Sequence, residues 1–329
     1  MKIMKPIHYA LIALFSSITV THAFANDCKP APRDVAVLKE VRPQSFTVEG
    51  PLAEFDPCHK SVKLQKNVFG NKQPLMIEVH GGGGVDLSTK NAVDAFRSAG
   101  FATLLFDAYE LNGFYQGGKF WASKASNEAR QRMIYKAALG AYAWAIKNPD
   151  IDNSQIYFHG LSNGASVVAN LAGAVDPKHV KGVFAEGLPG MGLGLPDKIN
   201  VPVRMISGRL DNYAGNFETE WIWLRREPCF LNVTEFIHPP GNSLQCNPIT
   251  NSYKLTIAPI DWFEDLKSKG ADIDVWYYDN AAHGIFLGPL QKNMIVYGTD
   301  MKRFAWVGAD SSAKSKLVDD IQKFAKSKQ

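Results

Sequence analysis

Gln155–Ala174 reads QIYFHGLSNGASVVANLAGA, and this stretch decides the fold class. Gln155 to His159 is a short apolar run bounded by polar and turn residues, which predicts a buried strand. Asn163 to Ala174 is rich in Ala and Val and predicts a helix packed closely on its neighbours. Between them stands Gly160-Leu161-Ser162-Asn163-Gly164, a G-x-S-x-G set between strand and helix. A sharp strand-to-helix turn forces the serine backbone into a strained conformation, and the flanking glycines let neighbouring chain approach without a Cβ clash. The reading makes Ser162 an exposed nucleophile at the carboxyl edge of a sheet, with the following helix dipole favouring developing negative charge. A plain turn is the alternative.

Working outward, apolar strands alternate with helical stretches, the pattern of βαβ units. Strands are expected at Pro74 to His80, Phe101 to Asp107, Val180 to Glu186, Val201 to Ser207 and Ile273 to Tyr278. Helices are expected at about Thr89 to Ser98, Asn127 to Asn148, Ile260 to Lys269 and Ser311 to Lys326, the last with Leu317, Ile321 and Phe324 on one face. The expectation is an α/β fold with a mostly parallel central sheet and helices on both faces. There is no internal repeat, so 26–329 is read as one domain whose first part, 26–71, adds edge strands.

Three further loops complete a candidate site. His80 leads Gly81-Gly82-Gly83-Gly84 at the end of a strand. Backbone N–H groups of Gly82 and of Asn163, the residue after the serine, are read as an oxyanion hole. A phosphate-cradling loop is disfavoured, because neither G-K-[ST] nor a G-x-G-x-x-G opening a helix is present. Asp211, after the strand ending at Ser207, is the expected acid, with Glu186 as its rival. His283, in the loop after Ile273 to Tyr278, is the expected general base, because the chain order is then Ser, Asp, His. His80 is expected to orient the glycine loop, and His159 and His238 to make structural hydrogen bonds.

The ordered set VHGGGG, FDAY (Phe106 to Tyr109), GLSNGA, RMISGRLD and YDNAAHGI resembles the dienelactone hydrolase branch of the α/β-hydrolase superfamily from about Pro74 to Gly288. The resemblance implies ester or lactone hydrolysis of a small-molecule or polymeric ester, no metal or organic cofactor, and Tyr109 beside the substrate. Members with a cysteine nucleophile differ from this chain, where the position is Ser162; esterase chemistry is the closer expectation. An exported serine peptidase, or a binding protein on the same frame, stays open as an alternative. The stretch of about 212–259 reads as a cap-like insertion whose Trp221 and Trp223 could line the acyl or alcohol pocket, or merely cover apolar surface.

The chain opens with Lys2 and Lys5, an apolar run from Ala10 to Val20, and Ala23-Phe24-Ala25. That is a secretory signal peptide cut after Ala25, too short for a membrane span, so a periplasmic or secreted location without stable membrane insertion is expected. Its removal takes two lysines and no acid, lowering the formal charge from +4 to +2. A nearly neutral chain with no basic stripe argues against nucleic acid as a partner. Cys28, Cys58, Cys229 and Cys246 lack metal-knuckle spacing and are read as two disulfides, Cys28 with Cys58 and Cys229 with Cys246, the pairing that closes the shorter loops.

Overall fold

The computed structural model describes residues 37–42, 45–49, 52–67, 72–114, 127–189, 192–211, 259–297 and 301–329. The expected signal peptide, Cys28, Cys229, Cys246, His238, Trp221, Trp223 and nearly all of the expected insertion at 212–259 lie outside them. Cys58 is disulfide-bonded, so its partner lies outside them too.

The central sheet has seven strands among the described residues. In chain order these are β3 (Lys63–Gln65), β4 (Leu75–Val79), β5 (Ala102–Leu105), β6 (Ile156–Leu161), β7 (Val180–Glu186), β8 (Val203–Gly208) and β9 (Ile273–Tyr278), following an N-terminal pair, β1 (Val37–Arg42) and β2 (Ser45–Glu49). Their spatial order is β3-β5-β4-β6-β7-β8-β9, and all neighbours are parallel except β3 on β5. The central strands are buried along their whole length, as their unbroken apolar runs require of strands covered on both faces.

Period-two alternation sends the side chains to opposite faces. On one, Leu75, Ile77, Ile156, Phe158, Val183 and Met205 pack under α3 (Asn127–Ala145), α4 (Asn163–Ala172) and α5 (Pro259–Ser268). On the other, Met76, Tyr157, Phe184 and Ile206 meet α1 (Leu87–Ser98) and α6 (Ser311–Ser327), whose Leu317, Ile321 and Phe324 are buried as expected. Asp86 caps α1 through Thr89 N–H at 3.0 Å, and Asp310 caps α6 through Ala313 N–H at 2.8 Å. Strand β3 supplies the edge strand expected of the N-terminal segment, while β1 and β2 pair with each other.

One element was not foreseen: the antiparallel hairpin of β10 (Gln291–Tyr297) and β11 (Met301–Val307) between β9 and α6. Its neck is narrow. Ala309 N–H donates to Gly288 O at 3.2 Å, and any Cβ on Gly308, where φ is 78°, would collide with the carbonyls of Gly288 and Pro289.

Gly160 and Gly164 show how tightly the central turn is wound. A Cβ on Gly164 would strike the carbonyls of Val79 and His80, and one on Gly160 would strike the Gly164 backbone. The obstacles are main chain in buried strands, which cannot swing aside as a side chain can. Gly164→Ala is expected to cost about 3 kcal/mol of stability, read as a lowered urea midpoint; an unchanged midpoint would refute the close approach.

Candidate active site

Ser162 sits between the end of β6 and the start of α4 with φ 56° and ψ −118°, a conformation rare for a residue with a side chain. Two bonds hold it there: its N–H donates to Glu186 O at 2.9 Å, and its carbonyl accepts from Ser166 N–H at 3.1 Å. This is the strained turn that the paired glycines implied. A serine so held, at the carboxyl end of the middle strand of a parallel sheet with one antiparallel strand near its edge, is the topology of one enzyme frame.

The chain has the α/β-hydrolase fold.

No family model matches the chain, and no curated protein is similar to it by sequence. Among solved structures it is similar to dienelactone hydrolase from Anabaena variabilis, at 14% identity and TM-score 0.46, covering 89% of this chain and 96% of that one. It is also similar to a dienelactone hydrolase, so designated provisionally, from Klebsiella pneumoniae, at 11% identity and TM-score 0.49, with 80% and 98% covered. A third is Est1E from Butyrivibrio proteoclasticus, at 12% and 0.45, with 81% and 92% covered.

The glycine loop lies against this hydrolase-fold turn. A Cβ on Gly81 would stand 3.7 Å from Ser162 Cβ, and one on Gly82 would overlap Asn163 Nδ2. His80 organises the loop from below. Its Nε2 accepts from Ala108 N–H at 3.0 Å, which leaves Nδ1–H to donate to Gly81 O at 2.8 Å and fixes a neutral tautomer.

Tyr109, expected beside the substrate, is fully buried in α2 (Ala108–Leu111), and its hydroxyl donates to Gly82 O at 3.1 Å, so it holds the glycine loop. Burial pushes its phenol well above the usual range, which keeps that proton in place.

Sequence reading missed Gln131 and Arg130, both in α3. Gln131, wholly buried, donates to Asn163 Oδ1 at 2.8 Å and accepts from Leu193 N–H at 2.8 Å, which fixes the residue after the serine. Arg130 brings a guanidinium nitrogen to 3.4 Å from the position of a Gly82 Cβ. Neither belongs to a motif. No sequence signal sets them apart, because the first turns of this helix also carry Asn127, Glu128, Arg132 and Lys136.

Asp211 and His283 meet in a buried contact, Nδ1 to Oδ2 at 3.0 Å, with the residues only 4% and 8% exposed. Their loops touch because Gly208 has no side chain: a Cβ there would stand 2.5 Å from the backbone of Ala281 and Ala282. Leu210 N–H donates to Ala281 O at 2.9 Å. His283 is also tied to the hairpin neck, where Gly308 N–H donates to its carbonyl at 2.9 Å.

Ser162 and this pair converge on one peptide. Glu186 O holds Ser162 N–H, and a Cβ on the next residue, Gly187 at φ 58°, would stand 2.9 Å from His283 Nδ1 and 3.3 Å from Asp211 Oδ2. With Nδ1–H given to Asp211, the basic electron pair of His283 is on Nε2. Burial alone would lower the imidazole. The Asp211 carboxylate, with Glu186 and Asp86 behind it, outweighs this and raises His283 above its usual value.

Glu186, the rival acid, is committed elsewhere: one oxygen accepts from Ile285 N–H at 2.5 Å, the other faces His159 Nε2 at 3.2 Å. His159 Nδ1 in turn faces Glu78 at 2.8 Å.

Proposed function

We propose that the chain is an exported serine hydrolase that cleaves carboxylic esters, with Ser162 as nucleophile, His283 as general base and Asp211 as the acid that orients it. The observation that carries the reading is the buried His283 to Asp211 contact packed against Gly187, one peptide from the carbonyl that anchors the strained Ser162.

In this mechanism His283 Nε2 takes the Ser162 hydroxyl proton as Oγ attacks the ester carbonyl carbon. The carbonyl π pair moves to oxygen, where the N–H groups of Gly82 and Asn163 and the α4 dipole meet it. Collapse expels the alcohol, which takes the proton from His283, and water then repeats the sequence on the acyl-enzyme to release the acid. His80 and Tyr109 preset the donor loop, so little reorganisation accompanies charge development.

The remaining parts of the proposal are a periplasmic or secreted single domain released by cleavage after Ala25, two disulfides that include Cys58, and an acyl or alcohol pocket completed by Trp221 and Trp223. Treatment with a fluorophosphonate should give one covalent adduct, located by peptide mass at Ser162, together with turnover of a panel of esters of graded acyl length. Adduct formation elsewhere, or none with the folded protein, overturns the assignment.

A further inference from the structure

Beneath the candidate triad lies a second set of charged groups that the mechanism above does not use. Glu78, His159 and Glu186 stand on adjacent parallel strands β4, β6 and β7, at positions 1 to 2% exposed. Glu78 and His159 are direct register partners, and Glu186 pairs with Leu161, two residues further along β6. Alternation puts all three on the face covered by α1 and α6, where Phe96 and Phe286 present ring edges to His159 at 5.0 and 6.0 Å between centroids.

Burying a charge in such surroundings is costly unless it is paired and hydrogen-bonded. Here both imidazole nitrogens are engaged by carboxylates, 2.8 Å to Glu78 and 3.2 Å to Glu186. An imidazole that donates from both nitrogens is a cation.

Glu186 reaches both halves of the candidate site. Its carbonyl holds the Ser162 N–H, its carboxylate holds the N–H of Ile285, two residues after His283, and its peptide to Gly187 abuts the His283 ring. Neighbouring α1 adds Asn91, which donates to Phe286 O at 2.8 Å and secures the same loop from the outside.

We propose that Glu186, clamped by the His159 imidazolium and Glu78, is a positioning residue that fixes the His283 loop relative to Ser162 and lends His283 a second negative charge behind Asp211. This inference rests on the reading of His283 as general base. The charged groups that act on His283 are Asp211 after β8, Glu186 at the end of β7 and Asp86 before α1. Those that act on His159 are Glu78 and Glu186, and Asp86 and Glu186 also bear on Glu78. The balance among them supports the geometry: burial opposes a charge on His159, yet the two carboxylates outweigh it and raise the imidazole above its usual range, while burial raises the carboxyl of Glu78.

Glu186→Gln separates charge from geometry, since the amide oxygen can still accept from Ile285 N–H while the negative charge is gone. Plateau kcat is expected to stay within about tenfold of wild type. The acid limb of kcat/KM should move to lower pH by about half a unit, because the imidazolium of His283 loses a stabilising anion. His159→Gln removes the cation that clamps the Glu186 carboxylate and should move the limb away from its wild-type pH. A role confined to packing would leave the limb in place. The same shift should appear, free of turnover, in the NMR titration of the His283 ring measured in the Ser162→Ala background. Retained turnover in Ser162→Ala would refute the proposed function itself. An inactive Ser162→Ala with a folded Glu186→Gln or His159→Gln whose limb and ring titration stay at the wild-type pH would overturn this inference alone.

Discussion

Ser162→Ala should lower kcat on any ester the protein turns over by about 10⁴-fold or more, with the melting temperature kept or slightly raised. The loss is large because the hydroxyl oxygen forms the covalent bond, and water in its place lacks both the position and the basic partner. Folding survives because the main chain at 162, and not its side chain, makes the bonds to Glu186 and Ser166. Steady-state rates and circular dichroism on the same preparation measure both halves of the expectation. A variant with more than about a hundredth of wild-type kcat would rule out this serine as the nucleophile.

Asp211→Asn is the second large effect, about 10³ to 10⁴-fold in kcat with little change in KM. An amide facing Nδ1 no longer dictates that Nδ1 carries the proton, and the imidazolium formed during attack loses its adjacent anion. The comparison with Glu186→Gln is decisive between the two carboxylates. Glu186 already serves Ile285 N–H and His159, so its neutralisation should cost far less than that of Asp211. The reverse ranking in kcat would make Glu186 the triad acid and leave Asp211 as a loop anchor.

The six strands read from sequence are all present within about two residues of their expected bounds, because each is a largely apolar run bounded by Gly, Pro, Asn or Asp, and all but β9, which is only partly buried, lie deep in the sheet. The hairpin β10 and β11 escaped for the opposite reason. QKNMIVY and MKRFAWV place charged and apolar residues side by side without clean alternation, and their partner is each other, not the sheet.

The site follows the same division. Ser162, Asp211 and His283 were picked out because each stands in a loop just past a strand and in the chain order Ser, Asp, His; the structure brings Asp211 and His283 into contact. The bond of Tyr109 to Gly82 O was not legible, because it depends on α2 tucking under the glycine loop. The Glu78, His159 and Glu186 cluster left a trace that could have been followed: a titratable residue late in each of three largely apolar strands. Register between the strands, which sequence does not carry, is what turns the trace into contact.

The pinched base of the hairpin separates the length of this arm from the placement of the imidazole. Because Gly288 and Ala309 are joined across the neck, and Gly308 is bonded to residue 283, whatever chain is spliced in beyond the neck changes neither end of the spacing that matters. The arm is therefore a place where the protein can gain or lose residues, and with them new surface, while the spacing of the histidine from the final helix stays constant.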